Sequence, residues 1–208
     1  LDPVFMFLNE AEQGDPDYQG SDSSVALLWE GSDDLSGIMG YEVALGTSSG
    51  ASDLVAWSDV GMDLSTDLVG LTLEDGSTYY GSVRTMDLAG NTAEVNGNGV
   101  IVDTTPPETG LVLDGLESDN EYQSTTGIEV SWSDFSDEGS GIAEYLYSLG
   151  TEENPTSVID HVSSGLEQSM TLTGLALDHG SRYIFSIKAI DVVGNISEVA
   201  ASDGFTVD

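Results

Sequence analysis

The chain of 208 residues has no cysteine and only three basic side chains, Arg84, Arg182 and Lys188. Without cysteine there is no disulfide, no thiolate metal site and no cysteine nucleophile. Three cations are too few to displace counterions from nucleic acid phosphates. They are equally too few to hold an anionic membrane surface. The longest apolar runs, such as residues 4–8 and 25–29, are five residues long, whereas a helical membrane span needs roughly 20. No initiator methionine and no signal peptide pattern stand at the start, so Leu1 is not expected to be a natural translation start.

What the chain has in excess is acid. Thirty-eight Asp and Glu leave a formal net charge of −35. The acids divide evenly, nineteen in residues 1–103 and nineteen in residues 104–208, so this is no acidic tail but a whole solvated surface. Such a surface repels its neighbours at low salt and suits water rich in salt or divalent cations. A saline exterior is the preferred setting, although a salt-accumulating cytoplasm leaves the same composition. Eight Tyr, five Phe and three Trp argue against disorder.

The chain repeats itself. Gly37-Ile38 recurs as Gly141-Ile142, Tyr41 as Tyr145, Gly46-Thr47 as Gly150-Thr151, and Gly70-Leu71 as Gly174-Leu175. Leu73, Gly76 and Tyr79 recur as Leu177, Gly180 and Tyr183, and Asp87, Gly90 and Asn91 as Asp191, Gly194 and Asn195. All these pairs are 104 residues apart; Trp29 and Trp132 differ by 103, and Val102-Asp103 and Val207-Asp208 by 105. Chance does not hold one register over such a span, so two homologous units of ordinary domain size are expected, 1–103 and 104–208. Residues 104–107, Thr-Thr-Pro-Pro, read as a short semi-rigid linker. Leu1-Asp2-Pro3 resembles the tail of such a linker, and a longer array of units is expected.

The period within each unit is that of strands. Tyr183, Phe185, Ile187 and Ala189 alternate with Ile184, Ser186, Lys188 and Ile190, and Ile128, Val130 and Trp132 alternate with Glu129, Ser131 and Ser133. Gly, Asp, Asn and Ser clusters punctuate the chain at roughly 8–12 residues, the spacing of a sandwich. Seven strands are expected near Val4, Val25, Tyr41, Leu54, Leu68, Tyr79 and Val100, and seven near Leu111, Ile128, Tyr145, Val158, Met170, Tyr183 and Phe205. The predicted fold is all-β: two tandem seven-stranded antiparallel β-sandwiches, end to end.

Several of these residues carry a family likeness. Trp29 and Trp132 end the second strands, and Tyr41 and Tyr145 sit in the third. Leu73-x-x-Gly76-x-x-Tyr79 and Leu177-x-x-Gly180-x-x-Tyr183 look like the tyrosine corner. Ser-Gly-Ile at 36–38 and 140–142, with the Asp87 to Asn91 and Asp191 to Asn195 turns, is similar to repeats of large bacterial surface proteins. The units thus resemble tandem fibronectin type III-like and immunoglobulin-like repeats over nearly the whole chain. The resemblance implies a tyrosine hydroxyl that ties the start of the sixth strand to nearby backbone. It says little about function, because this fold hosts many roles.

The resemblance also places the loops after the second and sixth strands at one end of each unit. That would gather Asp33, Asp34 and Asp87 in the first unit, and Asp137, Glu138 and Asp191 in the second, the latter set facing Asp103. Carboxylates gathered at a junction are candidate ligands for Ca2+, which takes six to eight oxygens. The competing reading is structural and outweighs it: an Asp opening a Gly-Asn turn accepts backbone N–H groups. No EF-hand loop is present. His161 and His179 have no repeated counterparts, and no Gly-x-Ser-x-Gly elbow supports a catalytic serine. Trp57, also unrepeated, is a candidate sugar-stacking surface, weighed against packing on an edge strand.

The function expected is non-enzymatic: a structural and interaction segment of a bacterial or archaeal extracellular adhesin, stalk or fibre, spacing or presenting other domains. The alternative is an accessory or carbohydrate-binding module of a secreted hydrolase. Expected partners are neighbouring repeats, other copies of the chain, and glycans. Neither nucleic acid nor membrane insertion is expected, and Ca2+ at the inter-domain junction is the one cofactor considered.

Overall fold

The computed structural model describes residues 4–9 as backbone and residues 17–208 in full; residues 1–3, read above as a linker remnant, lie outside the described residues. The chain divides into two compact units, Leu1–Thr104 and Thr105–Asp208. Every regular element among the described residues is a strand. Among the described residues, no helix is long and apolar enough to cross a membrane.

The first unit contains β1 (Val4–Asn9), β2 (Tyr18–Gln19), β3 (Ser24–Ser32), β4 (Ile38–Gly46), β5 (Val55–Gly61), β6 (Ser65–Val69), β7 (Thr78–Asp87), β8 (Thr92–Asn96) and β9 (Val100–Val102). One sheet has the order β1-β3-β6; the other runs β2-β9-β7-β4-β5, with β8 also paired to β7. The second unit repeats the plan. Its strands are β10 (Leu111–Leu113), β11 (Tyr122–Gln123), β12 (Gly127–Ser133), β13 (Ile142–Thr151), β14 (Asn154–Gly165), β15 (Ser169–Thr173), β16 (Arg182–Asp191), β17 (Ala200–Ala201) and β18 (Phe205–Val207). They form the sheets β10-β12-β15 and β11-β18-β16-β13-β14, with β17 on β16.

The all-β tandem sandwich is therefore the fold, with one refinement. Each of the seven-strand sets has its first and last member broken in two. The first strand changes sheets: β10 pairs with β12, whereas β11 pairs with β18 in the opposite sheet. The β11–β18 pair and its counterpart β2–β9 are parallel, the exception in otherwise antiparallel sheets. The last strand breaks because β8 pairs with Ser82 to Met86, whereas β9 pairs with Thr78 and Tyr79.

Alternation builds the cores. Val25, Leu27 and Trp29 turn inward from β3, and Ile128, Val130 and Trp132 turn inward from β12. Trp29 meets Tyr41 edge-on with ring centroids 5.8 Å apart, and Trp132 meets Tyr145 the same way at 5.9 Å. Here the units diverge. Gly81 of the first unit corresponds to Phe185 in the second, which stacks on Trp132 at 6.0 Å and on Tyr147 at 5.7 Å. The second core is therefore the more aromatic. The repeated Gly46 and Gly150 have a steric cause: a Cβ there would stand 2.4 Å from the Ala51 carbonyl oxygen and 2.2 Å from that of Asn154.

The indole Nε1 of Trp29 and that of Trp132 are buried without a hydrogen-bond partner. Trp132→Ala should therefore destabilise the second unit by about 3–5 kcal/mol through the cavity it leaves. Trp132→Phe should cost less, because it also removes an unsatisfied donor. Calorimetric melting of the two variants checks the order.

Candidate functional site

The turn before each long central strand is the best-defined polar construction. The Tyr79 hydroxyl accepts the Glu74 N–H at 2.9 Å, and the Tyr183 hydroxyl accepts the Asp178 N–H at 3.0 Å. Beside them, Gly76 and Gly180 donate to the carbonyls of Val102 and Val207, both at 2.8 Å. These glycines have φ of 71° and 79°, a region that disfavours side chains. The repeated Leu-x-x-Gly-x-x-Tyr is thus a tyrosine corner in both units, fastening the last strand to the start of β7 or β16.

The seven acids considered as Ca2+ ligands are placed as follows. Asp33 follows β3, and its Oδ2 accepts the Ser36 and Gly37 amides and the Ser36 hydroxyl. Asp87 ends β7 and accepts the Ala89 and Asn91 amides together with the Asn91 side chain, all at 2.7–2.8 Å. Asp191 ends β16 and accepts the amides of Val193, Gly194 and Asn195 and the Asn195 side chain. Asp137 accepts the Gly141 amide at 2.5 Å. Within the second unit Asp137 and Asp191 offer carboxylate oxygens within 4.8 Å of each other. Asp34 and Glu138 are exposed. Asp103 follows β9, and its amide donates to the Gln19 carbonyl.

These hydrogen bonds set the acidity of Asp87. Burial opposes its ionisation, but donors from Asn91, Ser36 and Ala89 outweigh that and lower its pKa to about 2. Asp33 is likewise lowered: burial again opposes, and the Gly37 and Ser36 donors prevail. The arrangement makes each carboxylate the acceptor that closes its own loop.

A second acidic group lies elsewhere and was not singled out from sequence. Asp114 follows β10 where the first strand of the second unit leaves its sheet. It is wholly buried. Its Oδ2 accepts the Gly204 amide at 2.9 Å, while Oδ1 is buried with no partner. Asp119 and Asp203, both exposed, bring carboxylate oxygens within 4.8 Å of that of Asp114 and of each other. Burial, reinforced by the charges of Asp119 and Asp203, raises the Asp114 pKa to about 6 against hydrogen bonds from Ser202 and Gly204. Alternation carried one step past β10 is the signal available in sequence, because Val112 and Asp114 share the inward face.

Trp57 is half-buried on β5, and the Arg84 guanidinium covers one face of its ring at 4.3 Å. Arg84 also donates to Glu42 at 2.7 Å. That hydrogen bond, followed by the Glu42 and Glu94 charges, raises the Arg84 pKa against burial. A groove of about 730 Å³ runs beside this pair, lined by Met39, Tyr41, Glu42, Arg84, Met86 and Glu94 among others. The histidines lie apart from it. His161, at φ 43° in a bulge of β14, engages its neighbour Asp160 at 2.6 Å. His179 is exposed, 3.8 Å from Asp208.

No family model matches the chain. Chitinase A1 of Niallia circulans is 31% identical over 194 residues, which is 89% of this chain and 24% of that protein. Exoglucanase A of Cellulomonas fimi is 34% identical over 192 residues, which is 86% of this chain and 19% of that protein. The chain thus spans about a quarter or less of the length of these curated relatives. Among solved structures, the CbhA fibronectin(III)-like modules of Clostridium thermocellum align with a TM-score of 0.53 at 11% identity, covering 99% of this chain and 94% of that one. A multi-domain segment of titin aligns with a TM-score of 0.55 at 15% identity, covering 99% and 68%. At such identities the structural likeness concerns the fold alone.

Two outcomes follow from the loop geometry. Tyr79→Phe and Tyr183→Phe each strip the acceptor from an amide, and each should cost about 1–3 kcal/mol in urea unfolding. Asp87 has a folded pKa below its unfolded value, so its stabilisation is present above the ordinary Asp range and is lost as pH falls through about 2. Asp87→Asn should therefore lower the melting temperature of the first unit at neutral pH and flatten its acid limb, as read by calorimetry across pH.

Proposed function

Because the chain is a tandem pair of fibronectin type III-like repeats, we propose that it serves as a non-catalytic accessory and spacer segment of a secreted polysaccharide hydrolase. The observation that carries this reading is the sequence match. More than four fifths of the chain aligns at 31–34% identity with a minor part of a chitinase and of an exoglucanase. The interior is in keeping with it: each unit has its own cluster of buried apolar side chains, and Asp33, Asp87, Asp137 and Asp191 accept amides of their own loops. Outside the cell the evenly acidic surface keeps the segment solvated and apart from its neighbours.

This moves the emphasis from the surface stalk or fibre to the hydrolase accessory. Both share spacing as their physical work, and both leave catalysis to other domains. The even charge and the internal repetition suit either, whereas the relatives favour the accessory role. A glycan-contacting part for Trp57 is the narrower version. Its remaining exposed surface would have to supply the stacking, since Arg84 already covers one face.

The test is genetic and biochemical. The reading frame that encodes the pair should also encode a glycoside hydrolase domain. Deleting the pair in frame should leave turnover of a soluble oligosaccharide unchanged and reduce turnover of insoluble chitin or cellulose several-fold. A frame holding only further repeats and an anchor would overturn the accessory reading and restore the stalk. Sugar release by the isolated pair would overturn its non-catalytic character.

A further inference from the structure

Three carboxylates of the second unit meet where its first strand crosses between sheets. Asp114 comes from the end of β10, Asp119 from the loop before β11, and Asp203 from the residues before β18. One oxygen from each lies within 4.8 Å of the other two. The loop is folded to achieve this: Asp119 Oδ1 accepts the Asp114 amide at 3.0 Å, and the Asn120 amide donates to the Asp114 carbonyl at 3.1 Å. Its tightness is visible at Gly115, where a Cβ would stand 2.1 Å from the Ser118 carbonyl oxygen.

Proximity of acids alone would mean little in a chain this acidic. The decisive feature is Asp114 itself. Its side chain is fully buried and draws on Ser202 and on the Gly204 amide, which bonds Oδ2, yet Oδ1 has no hydrogen-bond partner. A buried acceptor without a donor is rare and costly. The single nearby cation does not resolve it, because the Arg182 guanidinium donates to the Asp203 main-chain carbonyl. Among the described residues, none of the three carboxylates takes part in an ion pair.

We propose that Asp114, Asp119 and Asp203 form a binding site for a hard divalent cation of the calcium class. The donor set is all oxygen, which selects Ca2+ and its like over zinc or copper. Calcium sits about 2.3–2.6 Å from each ligand, so two of its ligands are at most about 5 Å apart. The observed spacing fits within that limit. The smaller Mg2+ holds its ligands at about 2.0–2.1 Å in near-ideal octahedral geometry and dehydrates reluctantly, demands that loop-borne carboxylates meet less readily than those of calcium. A cation here supplies the missing partner of Oδ1, neutralises the mutual repulsion of three anions, and ties the strand crossing to the segment leading into β18. The remaining coordination positions fall to water, as the exposure of Asp119 and Asp203 permits.

The site is distinct from the acids of the Asp33, Asp87, Asp137 and Asp191 loops, which close their own turns. In the first unit the register places Glu10, Asp15 and Asn98 opposite Asp114, Asp119 and Asp203. Only two of those three positions are acids, so the inference is confined to the second unit.

Calorimetry on the chelator-stripped chain tests it, with millimolar calcium added and ionic strength held constant with sodium chloride. At tenfold saturation, calcium should raise the melting temperature of the second unit by about 5–10 °C. The shift should vanish in Asp114→Asn and in the surface double variant Asp119→Asn/Asp203→Asn, and persist in the exposed control Glu153→Gln. The double variant alters exposed groups only, so the experiment does not depend on Asp114→Asn folding. No shift in the unaltered chain at millimolar calcium would overturn the proposal and leave a proton as the occupant of Asp114. An equal shift in the double variant would overturn it as well, by assigning the calcium response to the diffuse acidic surface.

Discussion

With three basic side chains against thirty-eight acids, carboxylates in this protein must find partners other than cations. They find backbone N–H groups. Asp33, Asp53, Asp87, Asp137 and Asp191 each accept at least one main-chain amide of a nearby loop residue, and Asp75 accepts the amide of Thr104. A charged acceptor strengthens such a bond roughly twofold over a neutral one. The excess of negative charge is thus put to structural use: it pins the turns that hold two short-stranded sheets in register. The tyrosine corner completes the set with a neutral acceptor.

The two units solve one packing problem with different side chains. The Trp–Tyr edge contact is common to both, yet Phe185 fills in the second a place that Gly81 leaves in the first. Around the second core, Phe135 adds a further edge contact with Tyr145. Divergence has therefore run through the interior, while the turn residues stayed in register. That contrast follows from geometry. A core tolerates exchange of volume if neighbours compensate, whereas a positive-φ glycine or a loop-closing Asp has few substitutes.

Much of this architecture was legible from residues alone. The register of 104 exposed the duplication, because Gly76, Tyr79, Asp87 and Asn91 carry turn geometry that side-chain chemistry dictates. Strand periodicity identified the inward faces of β12 and β16. What escaped was short or non-local. A two-residue strand such as β2 or β11 has no period to detect, and its parallel pairing depends on a partner some eighty residues away. The Asp114 cluster escaped for a different reason. In a uniformly acidic sequence one more Asp attracts no notice, and only its burial sets it apart. Candidate carboxylates drawn from the repeated turns were the conspicuous ones, and among them Asp33, Asp87, Asp137 and Asp191 accept amides of their own loops.

The parallel pairing of β2 with β9, and of β11 with β18, has a mechanical consequence. The second half of each sandwich's first strand and its last strand lie side by side and point the same way, so pulling on the two ends slides them past each other lengthwise. Their cross-links then share the load together instead of parting one by one, as they would in a hairpin opened from its free ends. Each bead is accordingly wired to resist stretching along the polypeptide, a property of use to any segment tethered at both ends in moving fluid.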